Sequence, residues 1–130
     1  MNRRHALISL ASVSLALLPV SAQAKTDTAF EQAAFDEAQA SGKPILLHVF
    51  ANWCETCHAQ RAALDKLEAD AAFANYVVFA IDFDTQKDVM LSFGATSRST
   101  LIAFKGKTEV GRLVGDTKLA KIKALMSKGL

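Results

Sequence analysis

Apolar and polar residues follow one another along this chain in two periods, which predict where strands and helices lie. Two almost uninterrupted apolar runs, at 45–51 and 76–81, have the length of strands and predict strands buried on both faces. Between them, residues 54–70 carry apolar side chains at helical spacing among charged ones. A strand, a helix and a second buried strand in this order predict a parallel βαβ unit.

The segment before this unit predicts a helix. Thr28 and Glu31 have the spacing of a capping box, in which each side chain bonds to a backbone N–H at the helix start. Phenylalanine and alanine residues then recur at helical spacing, and Gly42 is placed to end the helix in a left-handed conformation. The sequence therefore predicts a helix that runs up to the first buried strand.

The segment after the unit predicts a short helix, a β-hairpin and a last helix. The short helix covers about 84–93 and stops at Gly94. Apolar runs at 100–104 and 110–114 are separated by a glycine-containing turn, which is typical of a hairpin. Asp116 is placed to cap the last helix. The predicted order of elements is α-β-α-β-α-β-β-α, which is an α/β domain.

Residues 1–24 have the features of a secretory signal peptide. A short basic region precedes an apolar stretch at 6–20, and small residues form a cleavage site that ends at Ala24. An uncleaved membrane anchor is the alternative, although the apolar stretch is short for a bilayer span. We therefore expect cleavage near Ala24 and a periplasmic or secreted protein, with one small domain over 25–130.

The distribution of charge argues against one class of function. The chain has 15 basic and 13 acidic residues, and Arg3 and Arg4 account for the whole excess. The segment after residue 24 therefore has no net charge, and it contains no run of basic residues. Such a chain has no electrostatic basis for binding DNA or RNA, so we predict no nucleic-acid partner and expect a monomer.

The only two cysteines, Cys54 and Cys57, follow Trp53 where the first buried strand passes into the helix. The first turn of a helix has unpaired N–H groups and a partial positive charge, and both favour a thiolate over a thiol. Cys54 is nearest these N–H groups, whereas Cys57 lies one turn into the helix and is shielded. A disulfide that closes so short a loop stabilises little structure. A redox or ligand role is therefore favoured over a purely structural one.

This stretch resembles the thioredoxin superfamily. The resemblance rests on Gly42-Lys43-Pro44 before the strand and on Trp53-Cys54-Glu55-Thr56-Cys57 after it, and it covers about residue 29 to the C-terminus. Within the superfamily the chain resembles periplasmic thioredoxin-like reductases and the C-terminal thiol domain of DsbD-type electron transporters. The resemblance implies a thioredoxin fold with a central four-stranded mixed sheet flanked by helices. It also implies a disulfide between the two cysteines that cycles with the dithiol, with no bound cofactor and no metal.

The resemblance also implies roles for individual residues. In the family, the first cysteine is exposed and attacks a disulfide of a protein partner, and the second resolves the mixed disulfide; here these are Cys54 and Cys57. Trp53 would pack beside the site, with a core aromatic as the alternative. Glu55 disfavours a thiolate, which favours a reductase over an oxidase. Such a reductase would take its electrons from a membrane electron transporter.

Three residues depart from the thioredoxin pattern. His48 stands where the family has a buried acid that serves the second cysteine as proton acceptor, so it is either a neutral proton acceptor or a core histidine. Ser99 stands where the family has a cis-proline, and we expect a trans bond before it because a cis bond there would cost about 3–4 kcal/mol. Arg98 replaces an apolar residue; it either favours the Cys54 thiolate or is a solvated loop residue.

Two other classes of function would use the same residues. Cys54 to His58 matches Cys-x-x-Cys-His, the attachment motif of c-type haem, with His58 as proximal ligand and Met90 or Met126 as distal ligand. The motif follows a buried strand here, whereas small c-type cytochromes are mostly helical. A copper- or zinc-binding chaperone could use both cysteines with His48 or His58, but no fourth ligand is evident. Otherwise His58 is a partly exposed helix residue.

Overall fold

The computed structural model of the protein describes residues 27–130. The predicted signal peptide at 1–24 and its cleavage site lie outside these residues and stay predictions. In chain order the elements are β1 (Thr28–Ala29), α1 (Gln32–Ala40), β2 (Pro44–Phe50), α2 (Glu55–Glu68), a 3-10 turn (Ala71–Phe73), β3 (Val77–Asp82), α3 (Lys87–Ser92), β4 (Thr100–Lys105), β5 (Thr108–Val114) and α4 (Leu119–Ser127). None of the helices within 27–130 is long and apolar enough to cross a membrane.

The strands form one mixed sheet in the order β1-β3-β2-β4-β5. Strands β2 and β3 are parallel and are joined through α2, which confirms the predicted βαβ unit. Strand β4 runs antiparallel to both β2 and β5, as the predicted hairpin requires. The sheet has five strands among the described residues, one more than the four expected, while the predicted α/β class is confirmed.

The additional strand is β1, which lies where the sequence predicted a capping box. Thr28 pairs with Phe79 of β3, and the N–H of Phe30 donates to the carbonyl of Ala80 at 2.9 Å. These backbone groups are therefore satisfied by the sheet, and α1 begins later, after Glu31, whose side chain makes no capping bond. The predicted end of the helix is correct, because Gly42 has a φ of 71°.

The starts of α3 and α4 were also predicted too early, for a common reason. The carboxylate of Asp82 accepts from the N–H groups of Asp84 and Thr85, at 2.8 and 3.0 Å. Likewise, Asp116 accepts from the N–H of Lys118 at 3.0 Å. In each case an aspartate forms a turn before the helix, so the helix begins two or three residues after the predicted point.

Two hydrophobic clusters cover the two faces of the sheet, because side chains of β2 alternate between them. The aromatic cluster comprises Phe30, Phe35, Ala38, Ile45, Leu47, Val49, Phe79, Ile81, Met90, Ala95, Ile102 and Phe104. The α2–α4 cluster comprises Leu46, Ala63, Leu64, Leu67, Phe73, Tyr76, Val78, Leu101, Ala103, Ile122, Leu125 and Met126. His48 follows Leu46 on the face of β2 that α2 covers.

Candidate active site

The two cysteines lie at the junction between β2 and α2, as predicted, and are joined in a disulfide. Cys54 is the N-cap residue of α2, and its sulfur accepts from the backbone N–H of Cys57 at a distance of 3.2 Å. The helix therefore directs an N–H group at the Cys54 sulfur. In the reduced protein this donor, together with the helix dipole, favours a thiolate at Cys54.

Both cysteines are more buried than the resemblance implied. Cys54 has 3% of its surface exposed and Cys57 has none. Cys54 is thus the more accessible of the two, in the order that was expected, but the difference in exposed surface is small. They form a separate small cluster with Ala51, against which Phe50 and Phe83 pack. Because so little of Cys54 is exposed, the residues around its exposed surface control the access of a partner sulfur.

Ser99 is the polar side chain that contacts both sulfurs. Its Oγ lies 3.2 Å from the sulfur of Cys54 and 3.1 Å from the sulfur of Cys57. The side chain is buried between the loop and the disulfide. The sequence placed Ser99 at the position of the family's cis-proline, but it gave no sign that the hydroxyl would meet the sulfurs.

The backbone of Ser99 is held at three points. Its N–H donates to the carbonyl of Val49 at 2.8 Å, and its carbonyl accepts from the N–H of Gly115 at 2.9 Å. That carbonyl also accepts from Nε2 of Gln60 at 3.0 Å. No peptide bond within 27–130 is cis, so the Arg98–Ser99 bond is trans as predicted. Ser99 instead adopts a left-handed conformation with a φ of 59°.

Gln60 is a site residue that the sequence analysis missed. It is fully buried in α2, and its Nε2 donates to the carbonyls of both Ser99 and Asp116. Its Oε1 lies 3.1 Å from Nε2 of His48. A signal was available, because Gln60 lies on the buried helix face between Cys57 and Leu64, where a polar residue requires a partner.

His48 is fully buried, and its ring nitrogens have distinct surroundings. Because the amide nitrogen of Gln60 already donates to two carbonyls, its oxygen must accept, so Nε2 of His48 carries the hydrogen. Burial lowers the pKa of His48 to about 4, although the bond to Gln60 favours the charged form. Neither ring nitrogen bonds to a sulfur of the disulfide. This arrangement matches the alternative of a hydrogen-bonded core histidine.

A group of charged side chains lies next to His48. Nδ1 of His48 is 3.6 Å from a carboxylate oxygen of Asp27, and the other oxygen of Asp27 pairs with Arg61. Arg61 also pairs with Asp65 at 2.8 Å and with Glu68 at 2.5 Å. Arg61 thus neutralises the poorly exposed carboxylate of Asp27, which lies beside the histidine. The sequence analysis did not predict this group.

Trp53 lies on the surface beside the disulfide. It is 59% exposed, which excludes the alternative of a core aromatic. Its Nε1 donates to the carboxylate of Asp84 at 2.9 Å, and the guanidinium carbon of Arg98 lies 4.8 Å from its ring centroid. Arg98 is thus an exposed residue held against the indole by a cation–π interaction. The predicted effect of Arg98 on the Cys54 thiolate stays a prediction.

The remaining predicted residues lie around the helix start. Glu55 is exposed in the first turn of α2, and exposed His58 bonds through Nε2 to the carbonyl of Asn52 at 2.7 Å. Met90 and Met126 are buried in the two different hydrophobic clusters, so neither is placed to complete a haem site with His58. Among residues 27–130, no group of three or more histidine, cysteine or acidic side chains could hold a metal ion.

The sequence over residues 23–128 matches the family model of thioredoxin. The fold, the position of the disulfide at the start of α2 and this match agree. The chain therefore belongs to the thioredoxin family.

Individual relatives support the same assignment. Thioredoxin-2 of Saccharomyces cerevisiae is 35% identical over 97 residues, which cover 72% of this chain and 88% of that protein. Thioredoxin of Mycobacterium tuberculosis is 33% identical over 90 residues, covering 69% of this chain and 73% of the relative. Among solved structures, Trxlp from Edwardsiella tarda EIB202 is 37% identical with a TM-score of 0.74, covering 78% of this chain and 98% of that one.

The chain is therefore a thioredoxin-like thiol–disulfide oxidoreductase whose redox centre is the disulfide between Cys54 and Cys57. Proteins of this family act on protein disulfides and use the redox-active disulfide without a cofactor. The family match favours this assignment over the haem and metal-chaperone alternatives, since cysteines attached covalently to haem could not form the disulfide, and residues 27–130 offer no group of histidine, cysteine or acidic side chains that could hold a metal ion.

Proposed function

We propose that this protein is an exported thiol–disulfide reductase that delivers two electrons from Cys54 and Cys57 to disulfides of protein partners outside the cytosol. The observation that carries the proposed exchange reaction, as distinct from its direction, is the Cys54 sulfur, which caps α2 and accepts a backbone N–H. Helix capping of this kind stabilises negative charge on the sulfur that must act as the nucleophile.

The two cysteines have successive roles in the proposed reaction. The Cys54 thiolate attacks one sulfur of the partner's disulfide, a bond forms between them, and the other partner sulfur leaves with the electron pair. Cys57 then attacks the Cys54 sulfur, which forms the internal disulfide and releases the first partner sulfur as a thiolate. The burial of Cys57 supports this order, since a fully buried sulfur can reach Cys54 but not a large partner.

The direction of electron flow follows from what stabilises the reduced form. Glu55 adds a negative charge in the first turn of α2, where it opposes a thiolate. A less stable reduced form means a lower reduction potential and a better electron donor. Outside the cytosol the reductant would be a membrane electron transporter, an inference that rests only on the expected resemblance to the thiol domain of DsbD-type electron transporters.

Localisation rests on the segment 1–24, whose basic start, apolar stretch and small residues before Lys25 are those of a signal peptide. Expression of the full chain in a bacterium tests it. We expect the mass of a chain that begins near Lys25 in the periplasmic fraction. Full-length protein in the membrane fraction would identify an anchor, and full-length protein in the cytosol would contradict export.

The activity is tested with the domain that begins at Lys25. It should reduce insulin disulfides with dithiothreitol as the electron source. Cys54→Ser should abolish this activity, and Cys57→Ser should accumulate mixed disulfides with protein partners. Activity that survives in Cys54→Ser, together with no trapped partner in Cys57→Ser, would show that the roles are assigned wrongly.

The direction is tested separately by trapping thiols with an alkylating reagent in intact cells. A reductase should be found mostly as the dithiol, and loss of the membrane reductant should convert it to the disulfide. A protein that is mostly oxidised under all conditions would act as an oxidase.

A further inference from the structure

The Ser99 hydroxyl bridges the two sulfurs of the redox centre. Its oxygen is 3.2 Å from the Cys54 sulfur and 3.1 Å from the Cys57 sulfur. Sulfurs joined in a disulfide carry no proton, so the hydroxyl is the donor in these contacts. The single proton of the hydroxyl therefore lies within reach of both reacting atoms.

We propose that the Ser99 hydroxyl is a third catalytic group of this site, donating its hydrogen bond to whichever of the two sulfurs carries negative charge. This inference rests on the proposed reaction of Cys54 and Cys57. It adds a side-chain donor at a position where the proline of related proteins has none.

In the dithiol state the negative charge belongs to Cys54. The thiol of Cys57 then has two acceptors within reach, because in the disulfide form its sulfur lies 3.1 Å from the Ser99 oxygen and 3.7 Å from the carbonyl of Val49. The hydroxyl can accept from Cys57 and at the same time donate to Cys54. The Cys54 sulfur thus receives two donors, this hydroxyl and the backbone N–H of Cys57. Hydrogen bonds to an ionised acceptor are the stronger kind, so the thiolate gains more than the thiol.

In the mixed disulfide the negative charge must move to Cys57. The Cys54 sulfur is then bonded to the partner and is neutral, so the hydroxyl turns its hydrogen bond towards Cys57. The Cys57 sulfur loses its proton and attacks Cys54, and the bond between Cys54 and the partner breaks. The partner sulfur leaves with the electron pair and takes up the proton. The dithiol is thereby oxidised, and the partner is reduced by two electrons.

Within Ser99 the backbone is fixed by its surroundings, and only the hydroxyl is free to change direction. The backbone is fixed by the bonds to Val49, Gly115 and Gln60, and the oxygen already lies near both sulfurs, so rotation about the Cβ–Oγ bond, which moves only the hydrogen, is what redirects the hydroxyl. The other buried polar side chains near the site are committed, since Gln60 uses its amide on two carbonyls and on His48. A left-handed conformation in a residue other than glycine is costly, and such positions concentrate at functional sites.

Two substitutions test the inference and separate the hydroxyl from the backbone. Ser99→Ala removes the hydroxyl and keeps the unfavourable conformation, whereas Ser99→Gly removes the hydroxyl and relieves it. The matched control is Thr100→Val, which removes the neighbouring hydroxyl that bonds to the carbonyl of Ser97 and touches neither sulfur. The Ser99→Gly protein keeps the test valid if the alanine protein folds poorly.

The first measurement is the rate at which iodoacetamide alkylates Cys54 across pH in the reduced proteins. Both Ser99 variants should show an apparent thiol pKa about one unit higher, and alkylation about tenfold slower below that pKa. The equilibrium constant with glutathione should change by a similar factor, about 30 mV towards a more reducing potential. Thr100→Val should match the wild type in both quantities.

The second measurement is the release of a partner from the mixed disulfide at Cys54, which should be about tenfold slower in both Ser99 variants. Variants that match the wild type in alkylation and in release would overturn the role of Ser99. An effect seen in only one of the two Ser99 variants would also overturn it, because both variants lack the hydroxyl and differ only in the backbone. A wild-type protein that does not exchange with glutathione at all would instead refute the proposed function.

Discussion

The two faces of the sheet are built differently. The aromatic cluster is entirely apolar, and Phe35 at its centre packs against four other phenylalanine rings, at centroid distances of 5.3 to 6.1 Å. The opposite face carries the apolar α2–α4 cluster, but near the disulfide its buried side chains are polar, namely His48 and Gln60. From there hydrogen bonds lead to Ser99 and to the sulfurs.

This difference separates two tasks. The aromatic face stabilises the domain by burying apolar surface and by close packing, and the hydrophobic effect that results has no preferred direction. The polar end of the other face fixes the Ser99 loop at a defined distance from the disulfide, because a buried amide must satisfy each of its donors and acceptors. Changes on the first face should therefore alter stability alone, whereas changes on the second should alter stability and sulfur chemistry together.

The largest effect is expected on the aromatic face. Phe35→Ala should lower the free energy of unfolding by about 3–5 kcal/mol, because it leaves a cavity among four rings. Urea unfolding of the oxidised protein measures this, with Phe35→Leu as a control that should lose much less. The reduction potential of the folded Phe35→Ala protein should equal that of the wild type. A changed potential would show that this face is coupled to the disulfide.

The second effect is a dependence of stability on pH that arises on the polar face. The pKa of His48 falls from 6.5 to about 4 on folding because the ring is buried. Below pH 6.5 the unfolded chain therefore binds a proton that the folded chain does not, so the free energy of unfolding should decrease from pH 6.5 to about 4. The decrease from this residue should approach about 3 kcal/mol.

Substitution isolates this contribution from that of other groups. His48→Gln keeps a donor for Gln60 but does not titrate. The difference in free energy of unfolding between wild type and His48→Gln should be constant above pH 6.5. Below pH 6.5 the wild type should lose stability relative to the variant. The control is His58→Gln, an exposed histidine in α2, which should keep the wild-type profile. A constant difference for His48→Gln down to pH 4 would mean that the carboxylate of Asp27 maintains the charged imidazole.

A smaller loss of stability, but a larger change in chemistry, is expected at Gln60. Gln60→Leu leaves the Nε2 hydrogen of His48 without its acceptor and removes one of the bonds that hold Ser99. The free energy of unfolding should fall by about 2 kcal/mol, and insulin reduction should slow as well. Gln32→Leu is the control, because Gln32 is exposed and bonds only locally to Asp36. Unchanged activity in Gln60→Leu would show that Ser99 is positioned without it.

The smallest effect is expected at the surface. Arg98→Ala removes the cation–π contact with Trp53 and should cost less than about 1 kcal/mol, since the pair is exposed. Because Trp53 is the only tryptophan, its fluorescence reports this contact directly. Cys54 alkylation should slow less than in Ser99→Ala, with Arg98→Lys as the charge-retaining control. An effect larger than that of Ser99→Ala would make Arg98 the main stabiliser of the thiolate.

The sequence by itself determined the local architecture around the cysteines. The apolar run of β2, the helical spacing of α2 and the pair Cys54 and Cys57 between them predict a redox or ligand site at a helix start, and the resemblance to the thioredoxin superfamily implied that the site is a redox disulfide. Gly42 and Gly94 mark helix ends that the structure has, each with a positive φ. These features depend on neighbours within a few residues, so periodicity and turn chemistry were enough to find them.

Only the tertiary structure decided which distant groups meet the sulfurs. Ser99 lies 45 residues after Cys54 in the chain, and it reaches the disulfide because β4 pairs with β2 in a register that places Thr100 opposite Val49. Another long-range pairing, between β1 and β3, made Thr28 a strand residue rather than a helix cap. Periodicity indicates which face of a strand or helix is buried, but the register between strands depends on the packing of the whole sheet. The contact between a hydroxyl and two sulfurs was therefore not contained in any local pattern.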